Sequence, residues 1–212
     1  MNDTKSRFLL LGAAVAGLGI ILGTALWLKL APHARFSGAQ RSPLEEMSHY
    51  GSVPEFSLVE RSGKQIDLAQ LRGTIWIADF IYTNCEDICP LQTAEMVKLQ
   101  KELLPQTAVK LLSFSVDPGR DTAAVLSQYA DRYKADTDRW LFLTGGQDEI
   151  RNLVQNGFRL SAAMASTDDS IILHSPRFVL VDRQAQIRGY YDSRDKEALH
   201  RLRKDVAILA NR

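Results

Sequence analysis

The sequence predicts an α/β fold in which helices flank a mixed β-sheet, preceded by one apolar N-terminal helix. Three observations lead there. Apolar, β-branched runs alternate with helical patterns through the middle of the chain, as a sheet with crossover helices requires. A hairpin and a final helix close the chain. The only two cysteines of the 212 residues, Cys85 and Cys89, sit where one of the strands turns into a helix.

Met1 to Arg7 carries Lys5 and Arg7, and the 21 residues from Phe8 to Leu28 carry no charge. As a helix they reach about 31 Å, enough for a hydrocarbon core of about 30 Å. A cleaved signal peptide has a shorter apolar region, about 7–15 residues, and a small-x-small site. The expectation is therefore a cytoplasmic tip and uncleaved anchor over 1–30, with Lys5 and Arg7 on the cytoplasmic side; Lys29 and Arg35 reduce the charge asymmetry. Gly19 and Gly23 have a helix-packing spacing that small residues in spans often share. Residues 31–50 mix Pro, Gly, Ser and charges and read as a tether. Residues 51–212 form the expected globular domain, long enough for a full core. The 26 basic and 25 acidic residues are evenly mixed, a net charge of +1 that points away from nucleic acid.

Residues 53–59, the turn 61–64 and Gln65-Ile66 predict a hairpin. Residues 67–71 form one helical turn ended near Gly73. Ile75 to Tyr82 is a buried strand. Pro90, followed by Leu91, Ala94, Met96, Val97, Leu99 and Leu103, predicts a helix with Pro in its first turn, ended by Pro105. Val109 to Val116 is the next strand, and Asp117-Pro118-Gly119 turns it. Asp121 is read as the cap of a helix over 122–133. Trp140 to Leu143 is a strand and 148–158 a helix, with 160–169 a looser, polar stretch. Residues 177–182 pair with 187–191 across 183–186, and 196–209 is the last helix. Trp76, Trp140, Phe178, Tyr190 and Tyr191 are assigned to the core or the strand faces.

A strand-to-helix corner favours thiolate, because backbone N–H groups and the helix dipole stabilise negative charge. Residues four apart at such a corner can face one another. Cys85 and Cys89 could therefore close a disulfide or hold a soft metal; inert, buried thiols are the plain alternative. Outside the cytoplasm the pair oxidises unless a reductant or metal protects it. Of the four histidines, His33 and His49 belong in or beside the tether and His200 among the charges of the last helix. His174 stands just before the hairpin strand, and pairing of that strand beside the one leading to Cys85 would bring it to the same edge. Two thiolates and an imidazole suit copper, Cu(I) above all. Zinc accepts the same ligands but usually closes with four. Met96 and Met164 are read as packing rather than axial ligands. Asp79, in an otherwise apolar strand six residues before Cys85, is either buried and able to shuttle protons for the thiols or hydrated at an edge.

The order T-x-C-x-x-x-C-P over Thr83–Pro90, S-V-D-P-x-x-D-T over Ser115–Thr122, and H-S-P-R-F-V-L-V-D over His174–Asp182 with R-G-Y-Y-D over Arg188–Asp192 resembles the Sco (SenC) family of membrane-anchored copper chaperones. The resemblance spans about Val53 to the C-terminus. It implies a thioredoxin-like fold, copper as Cu(I) or Cu(II) bound by Cys85, Cys89 and His174, and delivery to the dinuclear copper centre of cytochrome c oxidase. The implied partners are the copper-accepting oxidase subunit, other copper chaperones and thiol reductants. With no mitochondrial presequence ahead of the anchor, the expected location is a bacterial inner membrane with the domain in the periplasm. Glu86 and Asp87 depart from relatives that place proline or small residues between the cysteines. They would raise thiol pKa values, draw in a cationic partner or simply be solvated.

A second reading is a thiol–disulfide reductase that keeps the acceptor's cysteines reduced, with Asp79 as proton shuttle. Pro176, six residues before Asp182, occupies a position where thioredoxin-like proteins often carry a cis-proline. Against that reading, the spacing is C-x-x-x-C, not C-x-x-C. A peroxidase of the peroxiredoxin type is weaker still, because its P-x-x-x-T-x-x-C context is absent.

Overall fold

The computed structural model of the chain describes residues 47–103, 108–160 and 175–211. The apolar span 8–28, most of the tether, the Pro105 break, the stretch 161–169, Met164 and His174 lie outside the described residues. Among the described residues, no helix is long and apolar enough to cross a membrane.

Strands β1 (Ser57–Glu60) and β2 (Gln65–Asp67) form the expected hairpin. Gly63 takes a φ of 83° in its turn, a region open to glycine. Asp67 accepts from the Gln70 amide and so starts α1 (Leu68–Leu71), and Gly73, φ 81°, follows its end. Next come β3 (Ile75–Ile81), α2 (Ile88–Leu103), β4 (Val109–Ser115), α3 (Ala123–Arg132), β5 (Trp140–Thr144) and α4 (Gln147–Asn152). The expected helix over 148–158 changes character part-way: Leu153–Gly157 continues α4 as a wider π-helical turn. The antiparallel pair β6 (Arg177–Val181) and β7 (Ile187–Asp192) precedes α5 (Lys196–Ala210).

These strands make one seven-stranded mixed sheet in the order β2-β1-β5-β4-β3-β6-β7. β3, β4 and β5 run parallel through α2 and α3. β6 pairs antiparallel to β3, so it begins at the end of the sheet where β3 finishes. Every residue of β3 is buried, as a central strand covered on both faces must be. Its side chains alternate between two cores. Ile75, Ile77 and Ile81 pack with Met96 and Leu99 of α2, Tyr129 of α3 and Leu202 and Val206 of α5. Trp76, Ala78 and Phe80 pack on the other face with Phe114, Leu68 and Phe158. Trp76, Trp140 and Phe178 are fully buried and Tyr191 is nearly so, as core aromatics.

Two expectations change here. Asp121 does not cap α3; the cap is Thr122, whose hydroxyl accepts from the Val125 amide. The apolar stripe of α2 holds at Met96 and Leu99 but not at its start, where Leu91 is 66% exposed and Gln92 is 1% exposed. Among the described residues every peptide bond is trans, Ser175–Pro176 included.

Candidate metal and redox site

β3 ends at Ile81, and Tyr82 to Asp87 carries the chain round into α2. The Cys85 amide donates to the Tyr82 carbonyl at 3.2 Å, which makes this passage a tight turn. The turn places the Cys85 sulfur over the start of the helix. There the Cys89 amide donates to Cys85 Sγ at 3.4 Å. The sulfur thus takes up a helix N-terminal N–H that would otherwise lack a partner.

The two thiols sit in different electrostatic surroundings. Burial pushes the Cys85 thiol up. The Cys89 amide and thiol, the Asp87 amide and the Tyr82 hydroxyl outweigh it, so Cys85 ends below the ordinary thiol value. Burial pushes Cys89 far above that value, with the Cys85 sulfur and the Asp79 carboxylate adding to the rise. Tyr82 is itself pushed up to about 12, first by burial and then by its bond to Cys85. Both cysteines are free and buried, Cys85 at 7% exposure and Cys89 at 0%. Of the two sulfurs, Cys85 is therefore the more readily ionised and the more exposed.

Asp79 answers the question left by the sequence: it is fully buried, not hydrated at an edge. It shares the β3 face of Ile77 and Ile81 and aligns with Ser113 of β4. Among the described residues, neither carboxylate oxygen lies within hydrogen-bond geometry of a donor. The Ser113 hydroxyl, which accepts from the Trp140 indole at 3.0 Å, and the Asp79 backbone amide pull its pKa down. Desolvation dominates and raises the carboxyl to about 7.

A second acid, read from the sequence as a cap and turn-shaping residue, holds the turn in place. Asp121 is 1% exposed and accepts from the Thr83 amide, the Thr83 hydroxyl and the Ser115 hydroxyl. Ser115 Oγ also accepts from the Asp117 amide at 3.1 Å. The segment after β4 is thereby tied to the residue two before Cys85. Glu86 and Asp87, between the cysteines, are exposed.

The other predicted residues are placed as follows. Met96 is fully buried in the core, as expected for packing. His200 is exposed on α5, and exposed His49 bonds to Gln186. Among the described residues, no group of three or more His, Cys, Asp or Glu side chains is gathered as a metal site. Two sulfurs are a soft pair suited to copper or zinc.

A model of the SCO1/SenC family matches residues 45–207. The chain belongs to the SCO1/SenC family. It is 36% identical over 156 residues to the SCO1 protein homolog of Bacillus subtilis, covering 73% of this chain and 80% of that protein. It is 29% identical over 142 residues to a putative copper-binding protein of Stutzerimonas stutzeri, covering 66% and 68% of the two chains. It also superposes with a TM-score of 0.67 and 32% identity on BsSco, covering 79% of this chain and 97% of that one. BsSco is described as a member of the Sco family of cytochrome c oxidase assembly proteins with a disulfide switch. The mixed sheet with helices on both faces fits the thioredoxin-like α/β fold of these Sco neighbours.

Proposed function

We propose that this chain is a copper metallochaperone that loads the dinuclear copper centre of cytochrome c oxidase during assembly. Cys85, Cys89 and His174 are its copper ligands, and the copper-accepting oxidase subunit is its partner. The observation that carries this reading is the unequal thiol pair at the α2 N-terminus. A readily ionised Cys85 sits over the helix start, with Cys89 buried one helical turn behind. Soft thiolates favour Cu(I), and an imidazole extends the same set to Cu(II). Release follows by ligand exchange, in which an acceptor thiolate displaces the protein's sulfurs one at a time. The apolar span 8–28 holds the domain at a bacterial inner membrane, facing the periplasm, where other copper chaperones supply the metal and thiol reductants keep the pair open.

Asp79 favours a second reading. A buried carboxyl at about 7, on the face that carries the cysteines, can take a thiol proton and return it during disulfide exchange. That chemistry belongs to a thiol–disulfide reductase acting on the acceptor's cysteines.

The deciding experiment titrates copper into the reduced full-length chain in detergent, alongside Cys85→Ser, Cys89→Ser and His174→Ala. Stoichiometric one-to-one uptake that all three variants lose supports the chaperone. Weak copper binding, with turnover on a partner disulfide that persists in His174→Ala, supports the reductase instead.

A further inference from the structure

Helix α2 carries a buried polar side chain that neither the thiol chemistry nor the packing uses. Gln92 lies three residues beyond Cys89, on the same face of the helix, and is 1% exposed. Its amide nitrogen has two hydrogens, and the structure gives it two acceptors: the Ser175 carbonyl at 3.4 Å and the Arg177 carbonyl at 3.3 Å. Its oxygen is buried without a donor among the described residues. Leucine or methionine fills such a position without burying an unmatched side-chain oxygen. Packing therefore does not account for a glutamine here.

Its two acceptors do. Ser175 and Arg177 bracket Pro176, which has no N–H of its own. On one side the Pro176 carbonyl accepts from the Ser193 amide at 2.7 Å, a tie to the end of β7. Gln92 supplies the tie on the other side, and it reaches the helix that bears the cysteines. β6 starts where β3 finishes, so this tie lies at the cysteine end of the sheet. Ser175 is covalently joined to His174.

We propose that Gln92 is a positioning residue for the copper site: by fastening the Ser175 and Arg177 carbonyls to α2 one turn beyond Cys89, it fixes Ser175, the residue to which His174 is joined. This rests on the assignment of His174 as a ligand under the proposed function. Gln92 touches neither metal nor sulfur. It acts by setting where the imidazole is attached relative to a thiol pair that begins nearly ninety residues earlier in the chain.

The test is a double-mutant cycle on the reduced full-length chain, using Cu(II) as the probe. The four proteins are wild type, Gln92→Leu, His174→Ala and the double variant. Affinity and the nitrogen hyperfine pattern in the electron paramagnetic resonance spectrum are read for each. Gln92→Leu is expected to weaken Cu(II) binding by about 10–100-fold, the usual loss when a ligand's supporting group is removed, and to diminish the nitrogen pattern. In the His174→Ala background the same substitution is expected to change affinity by less than about twofold, because the residue it acts through is gone. Far-UV circular dichroism and a cooperative melt of the metal-free protein check that the variant folds, and Gln92→Met replaces it if it does not. An unchanged affinity and spectrum in Gln92→Leu overturns the proposal while leaving His174 a ligand. An equal loss in both backgrounds also overturns it, by showing general destabilisation. If His174→Ala binds and looks like wild type, the ligand assignment fails and the Gln92 proposal falls with it.

Discussion

Asp121 and Thr83, 38 positions apart, meet through two bonds: the Thr83 amide donates to Asp121 Oδ2 at 3.1 Å and the Thr83 hydroxyl to Oδ1 at 2.5 Å. With the Ser115 hydroxyl at 2.6 Å, the carboxylate gathers the cysteine turn and the end of β4 onto one buried charge. Asp121→Ala leaves those donors unmatched. It is expected to cost about 3 kcal/mol or more, since a bond to a charged group is worth about 1.5–3 kcal/mol. Thr83→Val, which loses one of these bonds, is expected to cost about 1.5–3 kcal/mol. Urea unfolding of the reduced protein measures both. The double variant should cost less than the sum of the two, because each single change already breaks the same pair. Strict additivity would show that the pair is not coupled.

The unequal thiols give a second outcome. Alkylation followed across pH should label Cys85 first, with a midpoint below that of an ordinary thiol, and Cys89 only at much higher pH. Tyr82→Phe removes a donor to the Cys85 sulfur, so the Cys85 midpoint should rise and its labelling at neutral pH should slow. Peptide mapping of the labelled protein assigns each event. Equal labelling of the two thiols, or an unmoved midpoint in Tyr82→Phe, contradicts the geometry of the turn.

The strand-and-helix order could be read from the sequence because each element has local signals. β3 is an apolar run broken only by Asp79, Pro90 sits in the first turn of α2, and Gly63 and Gly73 stand at turns that take positive φ. What could not be read depended on partners far along the chain. Asp121 followed by Thr122 offers two good caps in a row, and only the distant Thr83 and Ser115 decide that Asp121 turns inward. Leu91 belongs to the apolar pattern that marks α2, yet it is exposed, and the buried place beside it goes to Gln92, which meets the backbone carbonyls flanking Pro176. Nothing in the apolar pattern of 148–158 marks Leu153 as the point where α4 widens. Of the candidate site, Cys85 and Cys89 stood out by their scarcity and their corner. The burial of Asp79 required the sheet above and below it.

The sheet face away from the cysteines has its own test. Phe158, fully buried, packs against Phe80 at 5.0 Å, Phe114 at 5.5 Å and Trp76 at 6.1 Å between ring centroids. Phe158→Ala opens a cavity there and is expected to cost about 3–5 kcal/mol in thermal or urea unfolding. Phe158→Leu should cost less and leave the pH midpoint of Cys85 where it was, because the cysteines belong to the other core. A shifted Cys85 midpoint in Phe158→Leu would show that the two cores are not independent.

Asp79 ties stability to pH, and the sign follows from its pKa. In the unfolded chain its carboxyl ionises near 3.8; in the fold desolvation raises it to about 7. Below 3.8 both states hold the proton and the folded state pays no penalty for this group. As pH rises from about 4 to about 7, the unfolded chain releases the proton while the fold retains it. This group's contribution therefore favours unfolding more and more, levelling off above 7. A shift of that size corresponds to on the order of 4 kcal/mol. Asp79→Asn cannot ionise and removes this slope. The difference in urea-unfolding free energy between pH 5 and pH 8 should shrink in the variant, with its stability at pH 8 rising relative to its stability at pH 5. The comparison is best made with both cysteines replaced by serine, so that thiol ionisation does not enter. An identical pH dependence in the two proteins would mean that the carboxylate finds water or a partner inside the fold, and the proton-shuttle chemistry of the reductase reading would lose its base.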